Sequence, residues 1–200
     1  LVKQILFDRS DEEEGLPSLE GYIINKETLL KMMDECKARN LYSFHKHAVA
    51  AFLAQGGTMD TYVHPGYAVA IRTVEAYYKA SMDMLKTEYR RQLFPADRPV
   101  RTKVHEEVST YYGETAVSRN SLVADNCKIE GSIENCIIFS GARIEKGAKL
   151  RNCIIMRGGI VGENTELDCV IADKFCSFSP GTVLTGNARL PMVVPKGVSI

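Results

Sequence analysis

Six cysteines, four histidines and one acidic run are the groups in this 200-residue chain that could ligate a metal, attack a substrate or move a proton. Cys136, Cys153 and Cys169 are each followed by two aliphatic residues, at intervals of 17 and 16. A metal centre needs thiolates that converge on one point in tetrahedral geometry. Residues at the same place in successive repeats run along a line instead, so the expectation is a structural ladder, with Cys127 and Cys176 packed alike. No C-x2-C pair occurs, and a disulfide scaffold does not suit a chain of this size; reduced thiols and a cytoplasmic location follow. His45 and His47 stand two apart, on different faces of a helix start, and surface or capping roles are expected for them. His64 and His105 belong to other segments, and no histidine lies in 117–184 to serve there as a general base. The run Asp11 to Glu14 reads as a solvated loop. Gly56-Gly57 and Gly158-Gly159 lack the lysine or helix start of a phosphate loop. The basic residues Arg72, Lys79, Arg90, Arg91, Arg98, Arg101 and Lys103 form a loose cluster. Arg98, Arg101 and Lys103 are candidates for holding a phosphorylated effector; the alternative is solvated balance for neighbouring acids.

Composition narrows the partners. Lys+Arg and Asp+Glu are 25 each, for a formal net charge of zero. No basic surplus recommends nucleic acid or an anionic membrane. Apolar residues make up 45%, enough for a core. No run approaches the roughly 18 apolar residues of a membrane span, and Leu1 to Phe7 is too short for a signal sequence. A chain that opens on Leu1 reads as a piece of a longer polypeptide.

The elements that must position these residues differ between the two halves. Residues 1–94 carry helical periodicity over Glu27 to Ala38, with Leu29, Leu30, Met33 and Cys36 on one side. It recurs over Phe44 to Ala54 and, as one long helix, over Val74 to Leu93. Tyr22 to Ile24, Met59 to Val63 and Tyr67 to Ile71 read as short strands, the last two paired around His64-Pro65-Gly66. The expectation is an α/β end-piece. Residues 95–116 read as a linker arm, with Tyr111-Tyr112-Gly113 entering a turn. Residues 117–200 read as a separate domain. Asn120-Ser121-Leu122-Val123, Asn135-Cys136-Ile137-Ile138, Asn152-Cys153-Ile154-Ile155 and Asp168-Cys169-Val170-Ile171 recur at 15, 17 and 16 residues. Ile144 to Leu150, Val161 to Leu167 and Phe178 to Leu184 lie 17 apart. No helix generates that period. A left-handed parallel β-helix of hexapeptide repeats does, with inward Ile144, Leu150, Val161 and Leu167 stacked over three to four coils.

With those motifs in hand, the chain resembles the C-terminal part of bacterial glucose-1-phosphate adenylyltransferase (ADP-glucose pyrophosphorylase). The resemblance covers essentially all 200 residues. Its strongest local match is Thr73-Val74-Glu75-Ala76-Tyr77-Tyr78-Lys79-Ala80-Ser81-Met82-Asp83-Met84-Leu85; Asn120 to Asp125 matches the entry to the family's β-helix. Catalytic members carry Ser-Met-Gly-Ile-Tyr where this chain has Ser18-Leu19-Glu20-Gly21-Tyr22, so Glu20 replaces a pocket glycine. They carry Asp-Phe-Gly-x-Asp where this chain has Ser43 to His47, so Ser43 and His47 replace aspartates. They carry Trp-Arg-Asp-Val-Gly-Thr where this chain has Ala68 to Thr73. The aspartate that holds magnesium falls on Ala70, and Arg72 replaces a glycine.

These departures imply the regulatory, GlgD-type branch of the family: a subunit with no catalytic residue of its own here, no cofactor in this segment, and a catalytic partner that uses Mg2+. The resemblance further implies self-association through the β-helix. Two enzyme readings compete. An active sugar-1-phosphate nucleotidyltransferase would need a substitute for the ligand missing at Ala70. A hexapeptide-repeat acyltransferase would need a histidine at the coils.

Overall fold

The computed structural model describes Val2, residues 18–103 and residues 106–200. The acidic run Asp11 to Glu14 and His105 lie outside the described residues. The chain divides into two compact units, Leu1–Ala68 and Val69–Ile200.

In the first unit Asn25 caps α1 (Lys26–Ala38), its side chain accepting from the Glu27 backbone amide at 2.9 Å. The buried face of α1 is Met32 and Cys36, one turn apart, whereas Leu30 and Met33 are about half exposed. The helix is thus rotated from the expected stripe, because Met32 and Cys36 are the pair that meets Ala48 and Val49 across the small core. The next helix opens with a π-helical turn over Phe44–Val49 and continues as α2 (Ala50–Ala54). The strands expected at Tyr22 to Ile24, Met59 to Val63 and Tyr67 to Ile71 do not form. A strand needs a ladder partner, and Tyr62 and Val63 are 85% and 61% exposed. Among the described residues the N-terminal segment is helical.

In the second unit the long helix expected over Val74 to Leu93 is broken in two, α3 (Val74–Asp83) and α4 (Thr87–Leu93). Met84, Leu85 and Lys86 donate to Ser81, Met82 and Asp83, a run of tight i to i−3 bonds that closes the first helix. Lys86, in extended geometry, starts the second.

The rest is a parallel β-helix with three faces of five strands each. The first face stacks Tyr111–Tyr112, Lys128–Ile129, Arg143–Ile144, Ile160–Val161 and Ser177–Phe178. The second stacks Val117–Arg119, Ser132–Glu134, Lys149–Arg151, Glu166–Asp168 and Val183–Thr185. The third stacks Leu122–Val123, Ile137–Ile138, Ile154–Ile155, Val170–Ala172 and Met192–Val194. Tyr111 pairs with Lys128, so the Tyr-Tyr arm is already the first rung, and the five-stranded faces run from 111 to 194, beyond the three to four coils expected over 117–184. Ile144, Leu150, Val161 and Leu167 are all inward and at most 2% exposed. In the last coil Ile171 pairs with Val193 after an excursion at 186–191 that Asn187 closes by accepting from the Arg189 and Leu190 amides.

Most corners carry a left-handed backbone residue. Between the second and third faces this is Asn120, Asn135, Asn152 and Cys169, with φ of 43°, 52°, 52° and 53°. The register pairs Asp168 with Arg151 and Ile171 with Ile154. Cys169 therefore continues the asparagine column, and Val170 continues that of Cys136 and Cys153. The expected ladder of three cysteines is corrected to two, because the fourth repeat is one residue shorter in the text than in the coil. At another corner Phe175 takes φ 60° and its ring lies over Gly158, where a Cβ would sit 2.6 Å from the ring.

Candidate functional site

The residues that resemble a sugar pocket fall in both units. In the first, Ser18 and Glu20 are exposed, and the Glu20 amide donates to Ser18 Oγ at 3.0 Å. Ser43 and His47 are brought together as a cap. Ser43 Oγ accepts from the Lys46 amide at 3.1 Å, and the Ser43 amide donates to His47 Nδ1 at 3.2 Å. This reciprocal arrangement resembles a capping box, with His47 one residue beyond the position that glutamate takes there. His45 turns the other way, its Nδ1 hydrogen-bonded to the Tyr22 hydroxyl. In the second unit Ala70 and Arg72 are exposed.

Among the described residues no three His, Cys, Asp or Glu side chains gather where they could hold a metal ion. Magnesium demands hard oxygen ligands, and the Ala70 methyl supplies none. The residues present do not fit that ion. Arg98 Nε lies 3.8 Å from Asp97 Oδ2 with both side chains more than three-quarters exposed, a solvated pair. Arg101 and Lys103 are exposed as well.

All six cysteines are free thiols. Cys136 and Cys153 are fully buried, and their Sγ atoms donate to the Glu134 carbonyl at 3.2 Å and the Arg151 carbonyl at 2.9 Å. Burial and the neighbouring Cys136 thiol push Cys153 well above the usual thiol range, which suits packing rather than attack.

Sequence reasoning missed a polar cluster where α3 meets the coils. Tyr78 is 3% exposed and packs on Ile154 and Ile171. Its hydroxyl donates to the Asn152 carbonyl at 2.7 Å. Burial, and secondarily the Cys169 side chain, push its phenol far above the ordinary tyrosine value. Beneath it the corner amides form a ladder. Asn120 Nδ2 donates to Asn135 Oδ1 at 2.7 Å, Asn135 Nδ2 to Asn152 Oδ1 at 3.3 Å, and Asn152 Nδ2 to Asp168 Oδ1 at 2.9 Å. The recurring asparagines were the available signal.

Two hollows stand out among the described residues. One of about 260 Å³ lies between α1 and the second helix, against Lys31, Met32, Cys36, His47, Phe52 and Gln55. The other, about 280 Å³, is a depression on the second coil face against Val117, Arg119, Ser132, Glu134, Lys149 and Arg151. Among the described residues no helix is long and apolar enough to cross a membrane.

Residues 104–190 match the family described as GlmU-like, C-terminal hexapeptide. The chain is 38% identical over 181 residues to the glycogen biosynthesis protein GlgD of Bacillus subtilis, covering 90% of this chain and 52% of that protein. It is 28% identical over 165 residues to a glucose-1-phosphate adenylyltransferase of Acetivibrio thermocellus, covering 81% of this chain and 39% of the relative. A glucose-1-phosphate adenylyltransferase of Bacillus anthracis is 28% identical over 183 residues, with coverages of 90% and 48%. The chain spans about half the length of two of these relatives and 39% of the third. The repeat period, the three-faced coil stack and these matches agree: the β-solenoid region of this chain is homologous to that of the GlgD-type glucose-1-phosphate adenylyltransferase family.

Proposed function

We propose that the chain is part of a regulatory subunit of glucose-1-phosphate adenylyltransferase, inactive or weakly active alone, that assembles with a catalytic subunit and modulates it. The partner makes ADP-glucose and pyrophosphate from ATP and glucose 1-phosphate for glycogen synthesis, in the cytoplasm and with Mg2+. The carrying observation is Ala70, a methyl group where the resembling active sequences place a metal-binding aspartate. Three other positions agree. Ser43 and His47, where those sequences have aspartates, are engaged in capping a helix. Glu20, where they have glycine, brings a carboxylate that repels the phosphate of a sugar phosphate unless a cation such as Arg72 pairs with it. Residues 1–94 then derive from the transferase domain and 117–200 form the assembly domain. Arg98, Arg101 and Lys103 are retained as a proposed site for a phosphorylated effector, supported by their exposure and charge.

The relatives named glucose-1-phosphate adenylyltransferase favour a second reading, an active enzyme. One experiment separates the two. The full-length parent is purified without a partner, and pyrophosphate release from ATP and glucose 1-phosphate is measured with magnesium. Turnover within about tenfold of a catalytic subunit, a barrier difference under about 1.4 kcal/mol, establishes the active enzyme. Turnover below that, with effector response lost when this subunit is omitted from the pair, establishes the regulatory one.

A further inference from the structure

The second coil face carries a charge pattern that is complementary to itself. Its outward positions form two columns, read in register up the stack. One column is Arg119, Glu134, Arg151 and Asp168, ending at Thr185; the other is Val117, Ser132, Lys149, Glu166 and Val183. Between them the inward Ile133, Leu150 and Leu167 fill the core. The first column thus alternates positive and negative over four coils, and within the chain Arg151 Nε lies 3.8 Å from Glu134 Oε2 and Lys149 Nζ 2.8 Å from Glu166 Oε1.

From this pattern we infer that the second coil face is the surface on which a second copy of the chain docks, with the two β-helix axes antiparallel. Two identical faces can meet across a two-fold axis in two ways. With the axis along the strands, the coil order reverses and each column faces itself. Centred between the second and third coils, this sets Arg119 against Asp168 and Glu134 against Arg151, each pair made twice. With the axis along the stack, the two columns face one another at the same coil. Lys149 then meets Arg151 and Glu166 meets Asp168, so like charges are opposed. The face therefore favours one orientation and rejects the other, which is specificity by repulsion as well as by attraction. The depression lined by Arg119, Glu134 and Arg151 spans coils one to three, beside the antiparallel centre between coils two and three.

Four coils at about 4.8 Å each, by strands of three residues at about 3.3 Å each, give a face of only roughly 190 Å². That is far short of the roughly 800 Å² per partner of a standard interface. The contact accordingly orients two copies within an assembly rather than holding them unaided, the usual part played by charge complementarity. The inference deepens the assembly role proposed above and rests on it, but its readout is contact between copies and not turnover.

The test uses the full-length parent. One batch carries Glu134→Cys and another Arg151→Cys; they are mixed and oxidised, and the disulfide is located by mass spectrometry. Antiparallel docking gives a 134–151 bond between chains. A second mixture, of Lys149→Cys with Arg151→Cys, gives little product. Separately, Arg119→Glu weakens self-association about tenfold or more, about tenfold weakening also follows on raising salt to about 0.5 M, and Arg119→Glu with Asp168→Arg recovers most of the affinity. Dominant 149–151 bonding, a strictly monomeric parent, or a face that binds only the catalytic subunit overturns the inference. If the parent proves an active enzyme while the 134–151 bond forms, the regulatory reading fails and the docking surface stands.

Discussion

Tyr78 ties α3 to the coil stack by one buried hydrogen bond and a ring laid on Ile154 and Ile171. Tyr78→Phe keeps the ring and leaves the Asn152 carbonyl without that donor, a loss expected at about 1–2 kcal/mol and read as a lower calorimetric Tm. Because the folded phenol is raised above its unfolded value, the sign is fixed. The contribution is intact below the unfolded pKa of about 10 and is lost as pH rises from there toward the folded value, since the unfolded chain deprotonates first. The Tyr78→Phe variant should lose less stability than the parent sequence over that alkaline range, and equal slopes would refute the assignment. Beside it, Cys169 holds φ 53° in a column otherwise filled by asparagine. Asparagine tolerates the left-handed region and a β-branched residue does not. Cys169→Asn is therefore expected to leave stability unchanged or raise it by roughly 0.5 kcal/mol, and Cys169→Val to lower it by about 1–2 kcal/mol, both measurable by urea unfolding.

At the scale of elements, the coils depend on stacking. Ile144 is fully buried and lies in register between Ile129 and Val161. Ile144→Ala should cost about 2–5 kcal/mol, and Ile144→Asp should prevent the stack from forming, because it buries a charge with no partner; a folded Ile144→Asp with native circular dichroism would contradict this placement. Such positions were legible because a 17-residue period of aliphatic residues has few structural solutions. The slip at Cys169 arose from the same text. Cys-Val-Ile resembles Cys-Ile-Ile in letters, but the backbone counts residues per coil, and only the ladder pairing of Asp168 with Arg151 reveals the offset. The helices were legible as helices and not in their limits. Nothing in the apolar spacing of Val74 to Leu93 marks the break at Met84 to Lys86, where local i to i−3 bonds win. The strands read in the first unit have β-branched and aromatic residues, yet composition cannot provide a neighbouring strand. The pocket resemblance located Ser43 and His47, but only coordinates show that they bond to each other.

For the whole chain, the two units differ in what holds them. The core of the first is Met32, Cys36, Ala48 and Val49, two short residues among four, with partly buried neighbours such as Tyr22 and Phe52. The core of the second runs unbroken from Cys127 to Val194. An inner coil is bonded on both sides: the Arg143 amide donates to Gly159 above it, while the Ala142 carbonyl receives Lys128 from below. In a stacked repeat, opening one inner coil breaks two interfaces and opening an end coil breaks one. Local opening energies should therefore rise from the first unit, through the terminal coils, to coils two to four. Hydrogen exchange of this 200-residue chain, resolved by peptide mass spectrometry, tests the ranking. Amides within 128–172 are expected to exchange at least about 10²-fold slower than those within 26–54, with 111–123 and 183–194 between them. The α3 amides at 74–83 should follow the coils, because Tyr78 is buried against the third face, and Tyr78→Phe should speed their exchange without moving that of 26–54. Equal protection across both units would mean that they unfold as one, and the division at Ala68 would then have no energetic meaning.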